Sequence, residues 1–463
     1  MWTQRTLAQT GFWTWHRVQL GGGLRVLLVV AAMMTAIVSA HAAEEISEPA
    51  ASITTSAQTG NDFVFLEQQI YRGEAGDAQN QLETIVAQIE ATYHRYHEEL
   101  LTPLTLLGDA LMVQQQYAGA LDYYARARHV SRVSFGLFDP RQVDVVYREA
   151  DAFRKMGDLD SAGQREEYAY EVLHRTYDRY DPKLLPALGR LGDFYLETYN
   201  YLAARSLYNR AMNVHIKNDT DYAIEAIPTL QGIAQSHRLE RFPPFYVANV
   251  DDSRLHGPTP HLTTTDLDRQ YLSFNNFPAG EKALQKIVEI RRREVSPSAG
   301  AILDAILELA DWHLMFGRSD TANTLYSHIY KQMAKRGNDA GLFFGTPALI
   351  YLPLPHDPKP PSVSKGTRRT AGVVTLQFNV APSGRIRKMK TIASEPPKLM
   401  DFRVRRSMRL AIFRPKLVEG VAVMAETQTY SHQFEYFPAH TPNHDIPADP
   451  TADTAQATQA AES

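Results

Sequence analysis

Five carboxylates return at one register of this chain. Glu67, Asp109, Asp151 and Asp193 stand 42 residues apart, and Asp311 takes the same place in a later unit, while the remaining unit has Gln235 there. Carboxylates in register form an acidic stripe, and the chemistry of such a stripe is the holding of a basic or amide-rich partner segment. The same register is also compatible with a solvated helix face. No catalytic pattern competes with it. H-E-x-x-H, G-x-S-x-G and a Gly-rich phosphate cradle are all missing. Ser362-Val363-Ser364-Lys365 fits S-x-x-K but lies in a Pro-rich stretch rather than at a helix start. With 0 cysteines there is no disulfide, thiolate nucleophile or cysteine metal site. The 16 histidines are scattered. His237, His256 and His261 flank or occupy a proline-rich interruption without ligand spacing, and His313 takes an aromatic position between helices. The chain is expected to be no enzyme and to carry no metal or cofactor.

The elements that must position the carboxylates carry the same period. Eleven residues after each acid comes a small residue: Ala78, Ala120, Ala162, Ala204 and Ala322, with Gly280 in the remaining unit. Four residues further stand Leu82, Tyr124, Glu166, Tyr208, Leu284 and Tyr326, and seven further Ile85, Ala127, Ala169, Ala211, Ile287 and Ile329. Offsets of four and seven share one helix face. The preceding segments carry Leu107-Gly108, Glu149-Ala150, Leu191-Gly192 and Leu309-Ala310, so small residues sit where two backbones approach. Polar turns such as Met156-Gly157-Asp158 and Gly317-Arg318-Ser319 join the two helices. Tyr96, Phe138, Tyr180 and Tyr222, also 42 apart, read as packing between repeats. A period of this length means a stacked array.

This frame resembles the tetratricopeptide repeat, in the longer-helix spacing of kinesin light chains. It is complete at 101–142 and 185–226 and departs at Glu149 and Glu166 in between. The resemblance covers about 62–338 and implies a protein- or peptide-binding α-solenoid whose acidic ladder faces the concave groove. Within it, Phe242-Pro243-Pro244-Phe245-Tyr246 and Gly257-Pro258-Thr259-Pro260-His261 mark an insertion at about 239–272.

The ends differ from the middle. Arg5, His16, Arg17 and Arg25 precede an apolar run from Val26 to Ala40, and Ala40-His41-Ala42 is a small-x-small cleavage pattern. That order reads as a secretory signal peptide over 1–42; an uncleaved inner-membrane anchor is the alternative. Residues 43–61 read as a flexible leader, 339–371 as a linker containing DPKPPSVSK, and 438–463 as a disordered tail. The net charge of −4 conceals a basic C-terminal part. Arg387, Lys388 and Lys390 fall on a predicted strand, and Arg403, Arg405, Arg406 and Arg409 on a predicted helix.

From Gly372 the period changes to two. Val374, Leu376, Phe378 and Val380 make one strand face, Ala381-Pro382-Ser383-Gly384-Arg385 a turn, and 386–393 a second strand. A helix is expected from Met400 to Ile412, stopped by Phe413-Arg414-Pro415; Gly420 opens a strand and Thr429–Phe437 forms the last. This β-β-α-β pattern over 372–437 resembles the TonB C-terminal domain through Gly372, Ser383-Gly384, Phe413-Arg414-Pro415 and Gly420 with Val423. The chain lacks that family's long Pro-Lys/Pro-Glu rod. The resemblance implies a periplasmic domain that engages outer-membrane partners by adding a strand to a sheet edge.

The fold class is thus expected to be mainly α, a tetratricopeptide-type solenoid followed by a small α+β TonB-like domain. The expected function is a periplasmic protein–protein scaffold of a Gram-negative bacterium, within a TonB-dependent transport system. The alternatives are a membrane-anchored energy transducer and a cell-wall accessory protein. Partners would be periplasmic or outer-membrane proteins, with peptidoglycan a further candidate and nucleic acid not expected. The basic surface could also meet the chain's own acidic ladder. Partner-binding candidates are Glu67, Asp109, Asp151, Asp193 and Asp311 on the array, Arg403, Arg406 and Arg409 on the C-terminal helix, and Tyr430 and Phe434 on the last strand.

Overall fold

The computed structural model describes residues 51–244, 276–358 and 369–437, with side chains from Asp62 onward. The expected signal peptide, nearly all of the insertion, DPKPPSVSK beyond Pro358 and the tail lie outside the described residues. No helix among the described residues is long and apolar enough to cross a membrane. The chain divides into two compact units, the first ending at Asp221 and the second beginning at Tyr222.

The first unit is built from helical hairpins: α1 (Ala51–Arg72) with α2 (Ala75–Thr92), α3 (Leu101–Val113) with α4 (Tyr117–Phe135), α5 (Val143–Met156) with α6 (Leu159–Thr176), and α7 (Leu185–Glu197) with α8 (Tyr201–Lys217). Helix α1 starts at Ala51, so residues 51–61 are helical where a flexible leader was expected. The small residues Ala78, Ala120, Ala162 and Ala204 are all fully buried. Glycine stands where an aromatic ring crosses the partner helix: a Cβ on Gly108 would lie 2.2 Å from the Tyr124 ring, and one on Gly192 2.8 Å from Tyr208. Gly157 closes α5 with φ +80°, a left-handed turn that a side chain resists, and Asp158 caps α6 by accepting from the Ser161 amide at 3.0 Å.

Each hairpin is also pinned to its own entry loop. Ser134, Thr176 and Asn218, 42 residues apart near the ends of α4, α6 and α8, donate to the carbonyls of Tyr96, Phe138 and Tyr180 at 3.3, 3.1 and 2.8 Å. Asp139 and Asp181 then cap the short turns into α5 and α7, accepting from the Arg141 and Lys183 amides at 2.9 Å each. The loop aromatics therefore hold the repeat through their backbone carbonyls.

The second unit contains α9 (Ile227–Arg241), α10 (Phe277–Arg293), α11 (Ala299–Met315), α12 (Ser319–Lys335) and the short α13 (Ala340–Phe344). Among the described residues it also holds seven strands and one more helix: β1 (Ala348–Tyr351), β2 (Thr370–Val380), β3 (Ile386–Glu395), α14 (Asp401–Met408), β4 (Ile412–Arg414), β5 (Lys416–Val418), β6 (Val421–Val423) and β7 (Ala425–Tyr436). The main sheet is antiparallel, in the order β3-β2-β7. Its inner face, Val374, Leu376, Phe378 and Val380, packs with Val404 and Met408 of α14, Phe413 and Phe434. A Cβ on Gly372 would lie 2.4 Å from the Phe434 ring, which accounts for the glycine opening this strand.

Two expectations change here. The linker expected at 339–371 carries α13 and β1, and β1 pairs antiparallel with β4. The helix expected to reach Ile412 stops at Met408, because Ile412, Phe413 and Arg414 are drawn into that pairing. The strand-bearing region also packs directly on the last hairpin. Asn323 of α12 donates to the Pro382 carbonyl at 3.2 Å, and a Cβ on Gly384 would meet Leu314 of α11 at 3.0 Å. Tyr351 of β1 donates to the Pro243 carbonyl at 3.0 Å, and its ring meets Phe242 edge-on.

Candidate functional site

The acidic ladder is a set of internal clasps. Asp109, Asp193 and Asp311 each stand fifteen residues before a tyrosine of their own hairpin, which places the two opposite each other across the helix pair. Tyr124 donates to Asp109 at 2.7 Å, Tyr208 to Asp193 at 2.6 Å, and Tyr326 to Asp311 at 2.7 Å. Burial, reinforced by the neighbouring carboxylate, pushes all three phenols well above the usual tyrosine range, so they stay protonated donors.

An arginine closes most of the clasps. Arg148 Nε reaches both oxygens of Asp109 at 2.9 and 3.2 Å and also pairs with Asp144. Arg190 Nη2 holds Asp151 at 2.7 Å, and its Nε holds both oxygens of Glu166 at 3.0 and 2.9 Å. Here Glu166 has taken the tyrosine position, so one arginine serves two carboxylates, with its guanidinium 4.2 Å from the Tyr147 ring centre. Arg414 grips Asp311 with a two-pronged fork, Nε at 3.1 Å and Nη2 at 2.7 Å. Burial opposes the charge on Arg414, but Asp311 outweighs it and its pKa is raised.

The expectation of an open acidic stripe is therefore corrected at its centre. Asp109 is 5% exposed and Asp311 4%, each neutralised from within the fold. Asp151 is half-exposed and paired, Asp193 is exposed, and Glu67 is exposed with Leu82 rather than a tyrosine fifteen residues on. The physical reason is that the register which repeats most strictly in the sequence faces the neighbouring helix. The arginines were not singled out from the sequence, although Arg148 and Arg190 stand 42 apart and each 39 residues after its aspartate. Arg414 had no such signal, since it comes from the non-repeating region, inside Phe413-Arg414-Pro415.

The C-terminal candidates separate into two groups. On β7, Phe434 is 4% exposed and packs in the core, and Tyr430 is half-buried, with burial raising its phenol to about 12. Both face inward, as the period of two dictates for a strand with one covered face, so neither is a surface contact. His432 lies between them, also buried, and desolvation lowers its pKa to about 4.

The arginines do reach the surface. Arg403 donates to the carbonyls of His356 and Asp357 at 3.3 Å each. Arg405, Arg406 and Arg409 line an open hollow of about 240 Å³ with Asp401 and with Phe402, whose ring is 70% exposed. An exposed phenylalanine thus stands here among three guanidiniums. Beside it, β7 is an edge strand, paired only with β2 among the described residues. The Glu435 amide donates outward to Asp357, and Gln433 and Ser431 follow at the same alternation.

This geometry defines a repeat protein of paired helices in tetratricopeptide-like register, ending in a small strand-containing region. No protein-family model matches the chain, and no curated protein does. Among solved structures it is similar to a protein of Podosopora anserina, described as a kinesin light chain with nearly identical TPR-like repeats, at 13% identity and a TM-score of 0.39, over 52% of this chain and 98% of that one. It is also similar to BtubC (BKLC) of P. vanneervenii, at 12% identity and a TM-score of 0.39, over 65% and 99%. A third is the TPR2AB domain of yeast Sti1 in complex with an HSP90 peptide, at 12% identity and a TM-score of 0.23, over 62% and 95%. Likenesses of this size leave function to the chain's own geometry.

Proposed function

We propose that this protein is an exported interaction scaffold. Its helical hairpins recruit one protein, and its C-terminal sheet takes a strand from another. The observation that carries this reading is the 12-residue edge strand β7, paired only with β2 among the described residues, which leaves its outer side at Ser431 and Gln433 to take a further strand. A partner segment that is extended, with acidic residues flanking the strand it donates, fits this edge and the arginines of α14. The basic, apolar and small-residue order at 5–42 supports a periplasmic setting. The likeness of 372–437 to the TonB C-terminal domain supports an outer-membrane transport system as the context.

Capture from periplasmic and outer-membrane extracts tests the reading. Gln433→Pro removes one outward amide from an edge position, where proline is tolerated. The wild-type chain is expected to retain an outer-membrane or periplasmic protein that Gln433→Pro and the Arg405→Glu/Arg409→Glu pair both lose. Equal capture by all three chains would remove the sheet edge and the arginine face from the mechanism.

A further inference from the structure

The sheet accounts for one face of α14 and leaves the other unexplained. Val404 and Met408, four residues apart and 1% and 0% exposed, turn into the core beside the inner face of β2. Ser407 and Arg403 hold the chain next to that core, donating to the carbonyls of Pro353 and of His356 and Asp357. Phe402 stands two residues before Val404, which puts it on the opposite side of the helix, and it is 70% exposed. Among the described residues it takes no part in the core.

Two independent observations meet at this outward face. One is charge. Arg405, Arg406 and Arg409 line the hollow around the Phe402 ring, and Lys398 lies exposed ahead of the helix. The one carboxylate lining the hollow, Asp401, accepts from the Ser394 hydroxyl at 2.5 Å. The other is apolarity. Leu399 and Leu410, on either side of Phe402 in the chain, are 42% and 44% exposed. Arginines alone would suit any solvated face; three large apolar side chains left out among them do not.

We propose that this face of α14 is a docking surface for an anionic lipid bilayer, with the guanidiniums on headgroup phosphates and Phe402, Leu399 and Leu410 in the acyl boundary beneath. Shape decides for a bilayer over an acidic protein segment. Phe402 is the one apolar residue lining the hollow, and both leucines lie outside it. A fluid surface meets apolar side chains that stand apart on the outer side of a helix, where a folded segment needs a groove to cover them. Arginine suits the headgroup as well, since its fork takes two phosphate oxygens while its stem lies against apolar chains. The proposal rests on the exported setting above but not on the β7 edge.

Lipid quenching in the full chain tests it. Phe402→Trp places an indole at the centre of the face, and its emission above the wild-type background is followed with vesicles of phosphatidylglycerol and brominated phosphatidylcholine. This signal reports on α14 alone, whatever the apolar run at 26–40 does. The anionic vesicles are expected to quench it, and brominated phosphatidylcholine alone to do so at least about tenfold more weakly. Arg405→Gln with Arg409→Gln should lower the vesicle affinity about thirtyfold, at about fivefold for each arginine. Melting by circular dichroism checks that the pair folds; should it melt early, loss of the Phe402→Trp quench in high salt is read instead. Leu342→Trp, at a position 79% exposed on α13, should not be quenched. Absence of a quench with anionic vesicles, a quench that ignores lipid charge, or one that Leu342→Trp shares overturns the bilayer. Retention on immobilised polyglutamate without any quench does so too, and marks an acidic protein segment as the occupant. Gln433→Pro, confined to the sheet edge, should leave the quench unchanged, so failure of strand capture and failure of bilayer docking are told apart.

Discussion

Asp109 and Asp311 sit at one register, donate nothing, and each accept a tyrosine hydroxyl at 2.7 Å and an arginine, Arg148 through Nε alone and Arg414 through Nε and Nη2. They differ in where the arginine comes from. Arg148 belongs to the first helix of the next hairpin, 39 residues on, and its side chain is 27% exposed. Arg414 comes from β4, 103 residues on, and is 12% exposed. A repeat array must end somewhere, and its last unit has no successor to cover it. Here the strand-bearing region performs that office, bringing an arginine to the place where another hairpin would have brought one. The basic C-terminal region thus meets the chain's own acidic ladder through Arg414 of β4 and not through the arginines of the helix.

The largest way to break the comparison is to remove each arginine in turn. Arg414→Ala leaves Asp311 buried with its tyrosine and no guanidinium fork, the Arg238 charge remaining nearby, and stranding a buried charge costs about 3–5 kcal/mol. Arg148→Ala leaves Asp109 nearer to water and is expected to cost about 1–2 kcal/mol. Denaturant unfolding measures both. Hydrogen exchange should show protection lost over 372–437 in the first variant and over α3 and α5 in the second. Equal costs, or an undisturbed sheet in Arg414→Ala, would mean that Arg414 does not join the sheet to the last hairpin.

Removing the tyrosine hydroxyls sharpens the comparison from the other side. Tyr124→Phe and Tyr326→Phe each delete one hydrogen bond to a carboxylate and keep the ring, at about 1.5–3 kcal/mol. Arg414 also acts on the Tyr326 phenol, so Tyr326→Phe should cost at least as much as Tyr124→Phe. Tyr208→Phe, whose aspartate is exposed, should cost less, about 0.5–1 kcal/mol. Thermal melts of the three variants decide. A Tyr326→Phe cost well above that of Tyr124→Phe would show that the phenol supports Arg414 as well as Asp311.

The contrast also explains what could be read without coordinates. The helix pairs were legible because Ala120, Ala162 and Ala204 repeat at fixed spacing and are fully buried. Burial by a neighbouring repeat forces strict periodicity on the sequence. The same force hid the meaning of the ladder. Asp109 and Asp311 looked like a surface stripe because they are charged, yet they repeat because they are internal. The fifteen-residue offset from aspartate to tyrosine was visible, but offsets between helices of a pair say nothing of hydrogen bonding until the crossing is known. Arg414 was unreadable in principle, since a contact 103 residues away, made once, leaves no period. Tyr430 and Phe434 were misplaced for a simpler reason: the strand was located, but its inward face was not assigned.

The last of these effects concerns the arginine register itself. Three residues before the ladder acid, the first unit has Arg148 and Arg190; before Asp311 the same place holds Glu308. Its surroundings are reversed to suit, with Gln231 hydrogen-bonded to it and the Arg238 charge drawing its pKa down. Burial and the like charges of Asp311 and Asp304 win, and the pKa rises to about 7. A carboxyl that ionises near pH 4.5 unfolded and near 7 folded binds its proton more tightly in the fold, so its contribution is fully present below the lower value and is lost as pH rises through the upper one. Glu308→Gln should therefore gain about 1–2 kcal/mol over wild type at pH 8 and almost nothing at pH 5. Arg190→Gln, at the matching place in the first unit, removes a guanidinium that two carboxylates need and should destabilise at both pH values. Urea midpoints at the two pH values provide the check. A gain for Glu308→Gln that is the same at pH 5 and pH 8 would mean that the fold does not raise this pKa, and a loss at both would mean the carboxylate is ionised in the fold and held by Arg238.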